Sequence, residues 1–416
     1  MKSTHVRAGR LVVATLLAST LSSTTQLVSA AADGDRAAGA AAVRGWNAVA
    51  MTTLVLAPTP NAEQPLHLAA VQRAVYDAVM AVHGHARHPS LVAAISSAAH
   101  TVLLAEFPLQ AGRLDQELTT ALADIPVGQS RTTGLALGRA AAEAALQERA
   151  GDGRGGPVLA VPAPGPGVWS PTPPNVAGAV SWLGSVRPFV LGSGAQLRPA
   201  GPPALDSATW ARDYNETRLL GSATSTTRTA AQTEVARFWA DPPSVQNQRA
   251  LRNYTQTSRM GALATARLFA MADTAAADAL IACFDSKYHY SFWRPFSAIP
   301  LGATDNNPAT PADASWVPLL PTPNHPEYPS AHSCATTAFA AVVAALAPSH
   351  RLDLTLDSTT TGTVHRFTSV RALTDEVANA RVWGGIHWRF STDAGSRIGR
   401  SVAALVLSSH DCDDEN

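Results

Sequence analysis

Lysine is almost missing from this chain. Of 31 basic side chains only Lys2 and Lys287 are lysines, and the rest are arginine. A surface cation can be met by either residue, so a single lysine kept in the body of the chain suggests a compact ammonium with three rotatable donors rather than a planar fork. Cysteine is nearly as scarce. Cys283, Cys334 and Cys412 form no CxxC pair and no zinc-like spacing, which excludes a disulfide scaffold and a cysteine-built metal site. Cys283 and Cys334 are expected as buried structural thiols. No internal repeat and no convincing alternating strand is present. Past the leader no run of eighteen apolar residues occurs, which excludes a membrane span.

Residues 1–30 read as a secretory leader. Lys2, Arg7 and Arg10 precede the apolar Leu11–Leu21 stretch, and Val28-Ser29-Ala30 offers a small-residue cleavage site. A secreted, extracellular protein is expected. Removing the leader leaves 28 basic against 31 acidic residues, a net charge of −3. That balance gives no support for nucleic acid or an anionic membrane as partner.

What is abundant is alanine, which favours helix over strand. Apolar residues recur at helical spacing through Arg44–Met80, with a break at Pro58–Pro65, and then over Leu91–Glu106, Leu109–Ala123 and Thr132–Ala150. Gly and Pro crowd the chain between 151 and 203, where Trp169, Trp182, Phe189 and Leu191 point to an ordered loop and not a free linker. Helices resume at Asp206–Leu220 and Ala230–Ala240, the latter capped by Thr227 or Thr229, followed by a long stretch over Val245–Phe284. The expectation is an all-α chain: an N-terminal bundle over 31–150, a Pro/Gly-rich connection over 151–204 and a second helical domain over 205–416.

Three blocks of the second domain carry chemistry. In Lys287-Tyr288-His289-Tyr290-Ser291-Phe292-Trp293-Arg294-Pro295 the two cations are seven apart, a spacing that returns to one helix face after two turns, with Pro295 placing Arg294 at an element's end. In Pro323-Asn324-His325-Pro326-Glu327-Tyr328-Pro329-Ser330-Ala331-His332-Ser333, Ser330 is placed to cap an Ala-rich helix whose free amides suit an anion, with His332 in its first turn. In Arg381-Val382-Trp383-Gly384-Gly385-Ile386-His387-Trp388-Arg389-Phe390, the glycine pair lets one helix end and another begin near His387. Together these groups suit a tetrahedral oxyanion.

The pattern Lys-x6-Arg-Pro, Pro-Ser-x-His and Arg-x5-His resembles the superfamily that joins vanadium-dependent haloperoxidases with type 2 phosphatidic acid phosphatases and bacterial acid phosphatases, with a fold of packed helical bundles. The Tyr214-Asn215-Glu216 to Phe238-Trp239 region and the Tyr76-Asp77-Ala78-Val79 helix are similar to exported bacterial haloperoxidase-like members. The resemblance implies that Lys287, Arg294 and Arg381 neutralise the equatorial oxygens of vanadate or phosphate, while Ser330 Oγ and the Ala331 N–H donate to it. His387 would be the vanadium ligand in a haloperoxidase or the nucleophile in a phosphatase, and His332 the acid–base residue opposite. His325 corresponds to a position linked to halide handling, where algal bromoperoxidases also carry His, which favours bromide. The implied partners are hydrogen peroxide, a halide and a small organic acceptor. In the phosphatase alternative they reduce to a phosphomonoester, with no vanadate. A non-catalytic anion binder is the third reading.

Two positions depart from the family pattern. Ala331 replaces the usual glycine, where a positive φ would be costly. Ser391 stands where a carboxylate often follows the histidine by four residues, with Asp393 two further on, so the group that orients His387 stays open. Asp241 is the candidate partner for Arg381.

Overall fold

The computed structural model describes residues 37–411; the leader expected over 1–30 and Cys412 lie outside them. A helix over 37–56 (α1) is followed by Gln64–His83 (α2), Leu91–Glu106 (α3), Ala111–Leu122 (α4) and Gln129–Arg149 (α5). After a largely irregular stretch come Ala208–Leu220 (α6), Ala230–Phe238 (α7), Pro243–Thr257 (α8), Ala262–Tyr290 (α9) and the single turn Pro295–Ala298 (α10). The chain then forms Ala331–Leu346 (α11), a hairpin of Leu354–Asp357 (β1) and Val364–Phe367 (β2), Val370–Trp383 (α12) and Arg389–Asp411 (α13). The architecture is all-helical apart from this one antiparallel pair.

Helix starts follow the capping chemistry written in the sequence. Ser90, Ser207, Ser330 and Ser369 each accept from a first-turn amide, and Thr229 makes a full capping box with Gln232. Two expectations are corrected. The helix expected over Val245–Phe284 is two helices, because the chain turns at Ser258–Gly261, where Arg259 adopts a positive φ of 51°. The strand pair was missed because each strand has four residues, too few for alternation to register.

An apolar core runs from Val43 to Val406, with α9 buried along most of its length. Cys283 and Cys334 lie within it as free, buried thiols, as expected. Among the described residues no single helix is long and apolar enough to cross a membrane. The Pro/Gly-rich segment is anchored over α9: Asp278 accepts from the amides of Phe189, Val190 and Leu191 at 2.7, 2.8 and 2.9 Å. The same segment pins the chain beyond α9, where the Trp169 N–H donates to Ser291 O and the Trp293 N–H to Gly167 O.

A second, aromatic cluster backs the functional blocks. Trp293, Tyr328 and Trp388 belong to it, and each is the sequence neighbour of a site residue: Arg294, Glu327 and His387. Trp388 packs edge-on to Trp210 at 4.8 Å and stacks on Tyr214 at 5.9 Å. Rigid rings of this size hold the intervening backbone in register.

Candidate active site

The three sequence blocks meet by backbone as well as by side chain. The Glu327 N–H donates to Phe292 O, joining the second block to the first. The Ser330 N–H donates to Ser391 O, joining it to the third, and Arg294 Nη1 donates to Ile386 O at 2.8 Å. Lys287, Arg294, Ser330, Arg381 and His387 are all buried, while Ala331, His332 and His325 are half-buried.

Lys287 and Arg294 reach the site by a route different from the shared helix face expected. The helix α9 ends at Tyr290 on a left-handed Ser291 (φ 45°), and Arg294 is an extended residue preceding α10. Lys287 Nζ donates to Pro326 O at 2.8 Å and Glu327 O at 3.0 Å, which leaves one ammonium proton free. Arg294 donates through Nε to His325 O at 2.9 Å, and its Nη2 lies 2.9 Å from His325 Nδ1. Arg381 donates from Nη1 to Trp239 O at 2.7 Å and leaves a buried Nε without a partner.

Asp241 does not pair with Arg381. Its carboxylate is taken up by the amides and hydroxyls of Thr359 and Thr360 and lies 3.7 Å from Arg249. The hairpin connection that supplies those threonines has no signal in the sequence around Asp241.

His387 lies between α12 and α13, as the glycine pair predicted. Gly385 has φ +73°, and a Cβ there would collide with the carbonyl oxygen of Gly221. A glycine is therefore required for the α6 C-terminus to approach this closely. The ring is held by Glu327, which sequence reasoning missed. Glu327 Oε1 accepts from His387 Nδ1 at 2.7 Å and from the Trp388 N–H at 3.0 Å. Ser391, at the position where the family often has a carboxylate, lies 3.5 Å from the same Nδ1, so the carboxylate has come from another element. One signal was available: Glu327 is the only acid between Asp313 and Asp353.

Burial sets the charge states. It raises the Glu327 carboxyl to about 7, and it drops His387 well below its usual range, reinforced by Arg294, Lys287 and Arg381. The contact is accordingly a hydrogen bond to a neutral ring and not an imidazolium ion pair. With Nδ1–H facing Glu327, Nε2 is unprotonated and accepts from Arg294 Nη1 at 3.3 Å. His332 is likewise driven down by burial and then by the three cations, and its Nε2 is buried without a partner.

Ser330 accepts from the Ser333 amide at 3.5 Å, which leaves its hydroxyl proton available. Gly395 on α13 permits this cap, since a Cβ there would lie 2.6 Å from Ser330 O. Ala331 is the first residue of α11 and is absent from the positive-φ residues, so the backbone penalty expected for replacing glycine does not arise.

The charge balance tests whether an oxyanion fits. None of Lys287, Arg294 and Arg381 forms an ion pair among the described residues, and the one carboxylate nearby, Glu327, is committed to His387 and Trp388. Burial pulls Lys287 down to about 8, Arg294 to about 10 and Arg381 to about 9. Three buried cations with no carboxylate partner favour a compensating anion. A cavity of ≈ 140 Å³ adjoins the site and has His325, Ala331, His332 and His387 among its lining residues.

Residues 267–411 match the family model of the VCPO second helical-bundle domain. This segment is thus a second helical-bundle domain of the VCPO type. The whole fold is similar to a bacterial vanadium-dependent iodoperoxidase, with a TM-score of 0.73 at 23% identity over 90% of this chain and 96% of that one. It is also similar to a bacterial vanadium-dependent chloroperoxidase in holo form (TM-score 0.65, 19% identity, 84% and 91% covered) and in apo form (0.67, 18%, 84% and 95%). No curated protein matches by sequence. The vanadium haloperoxidase fold thus accounts for the three-block site, with the carboxylate that orients the histidine on Glu327.

Proposed function

We propose that this protein is an exported vanadium-dependent haloperoxidase that oxidises halide with hydrogen peroxide and halogenates a small organic acceptor. One observation carries the reading: three buried cations, without ion pairs among the described residues, act on a neutral histidine whose Nε2 accepts from one of them, Arg294. The family assignment and the similar folds support the same class.

Lys287, Arg294 and Arg381 would hold the oxygens of vanadate, with Ser330 Oγ and the Ala331 N–H as further donors, and His387 Nε2 would bind the metal. When bound, the group supplies Lewis-acid activation of peroxide toward attack by halide. Glu327 keeps Nε2 unprotonated and aimed by holding the Nδ1 proton. His332, neutral and unpartnered at Nε2, would serve there as the group that accepts and donates a proton. Fixed donors of this kind stabilise charge without reorganising during the reaction. His325, over the Phe284 ring at 5.1 Å and beside Arg294, is the residue we assign to halide, with bromide as the first to test.

The test is bromination of phenol red by vanadate-free protein with peroxide, before and after adding vanadate, beside hydrolysis of p-nitrophenyl phosphate. Vanadate-dependent bromination, abolished in His387→Ala, is the expected result. Hydrolysis inhibited by vanadate would instead make the protein a phosphatase, and neither activity would make it an anion binder.

A further inference from the structure

The cavity has a second wall that the oxyanion chemistry does not use. Besides the histidines it is lined by Asn247, Gln248 and Asp273 and by the apolar Leu68, Leu280 and Phe339. Asp273 is 1% and Asn247 5% exposed, yet Asp273 Oδ2 and Asn247 Oδ1 have no hydrogen-bond partner. A buried polar atom without a partner is costly, and on a residue that lines a cavity it points to a ligand group.

A chain of hydrogen bonds fixes which atoms are left over. Arg252 has only donors, and its Nη1 donates to Asn47 Oδ1 at 2.6 Å. Asn47 must then present Nδ2, which donates to Gln248 Oε1 at 2.7 Å. Gln248 in turn donates through Nε2 to Asp273 Oδ1. The Asn47 and Gln248 amides are thereby oriented from Arg252 inward, and Oδ2 is the free atom of the carboxyl. Burial raises this carboxyl to about 8, so Oδ2 carries a proton near neutral pH.

We propose that Asn247 and Asp273 form an acceptor-binding station that recognises the hydroxyl of a phenolic substrate. A hydroxyl both donates and accepts. Asn247 Oδ1 takes its proton, Asp273 Oδ2–H donates to its oxygen, and Leu68, Leu280 and Phe339 cover the ring. Halide and peroxide need no apolar wall, whereas an aromatic acceptor does. This deepens the haloperoxidase reading and rests on it: the halogenated molecule is held in the cavity beside His332 and is not met only in bulk solution.

The experiment is calorimetric titration of phenol, and separately of anisole, into the vanadate-free full chain. Wild-type protein should bind phenol about tenfold more tightly than anisole, whose ether oxygen cannot donate, the factor expected for one buried hydrogen bond. Asn247→Leu and Asp273→Leu should each lose about tenfold in phenol affinity, and Asp273→Asn, which keeps both an acceptor for Gln248 and a donor for the ligand, should retain it. Equal binding of phenol and anisole by wild type, no phenol binding, or unchanged affinity in both leucine variants would overturn the proposal. The phenol–anisole comparison stands even where a leucine variant does not fold. Because no vanadate is present, failure here is separate from failure of the bromination assay, which tests the parent reading.

Discussion

Glu327 holds His387 across sixty residues of sequence, Oε1 to Nδ1 at 2.7 Å, and the same oxygen accepts the amide that follows the histidine. Ring and backbone are thus fixed by one atom. Nε2 stays unprotonated because this carboxyl occupies the other nitrogen, and Arg294 Nη1 donates to it.

Removing that hold should loosen the ring more than it disturbs the fold. Glu327→Gln keeps an acceptor oxygen and should reduce halide oxidation about tenfold, and Glu327→Ala about a hundredfold, as for other groups that orient a ligand histidine. Steady-state kinetics with vanadate affinity measured alongside will show whether both fall together.

Lys287→Arg preserves charge and should still impair oxyanion binding. The ammonium reaches Pro326 O and Glu327 O inside a fully buried space and keeps a third proton for the anion; a guanidinium is larger and planar. The rise in melting temperature on adding orthovanadate, which reports binding to the folded state, should shrink markedly in the variant.

Gly385→Ala should destabilise the protein by about 1–3 kcal/mol, because it combines a φ of +73° with a collision against Gly221 O. Urea unfolding measures the loss. Vanadate-dependent activity should fall further than stability explains, since His387 is two residues away.

Asp273 gives a pH signature. Its folded value of about 8 lies above the ordinary 3.8, so the folded state keeps a proton that the unfolded chain has released. Its stabilising contribution is full below pH 4 and is lost as pH rises through 8. Asp273→Asn should therefore be stabilised relative to wild type as pH is raised from 5 to 8, by an amount on the order of 4 kcal/mol. Parallel chemical-denaturation curves across that range will show it.

Much of the site was readable where the controlling interaction is local. Ser330 as a cap, His332 in the first turn and the Gly384–Gly385 break before His387 depend on residues within a few positions of each other, and all three are present. Lys287 and Arg294 were rightly grouped but for an incomplete reason: helical periodicity continues past Tyr290 only if the helix does, and Ser291 ends it.

The sequence by itself determined the helical class, the caps and the set of cations and histidines, because helix propensity, capping and charge are properties of short segments. Tertiary structure decided which carboxylate serves which cation or ring. Glu327 went to His387 and Asp241 to Thr359, Thr360 and Arg249, while Lys287, Arg294 and Arg381 were left without a carboxylate among the described residues. It also set Asn247 and Asp273 in one cavity with the histidines. Those choices depend on where α6, α8, α9 and the β1–β2 connection pack, and packing between distant segments leaves no periodic trace in the chain that makes it.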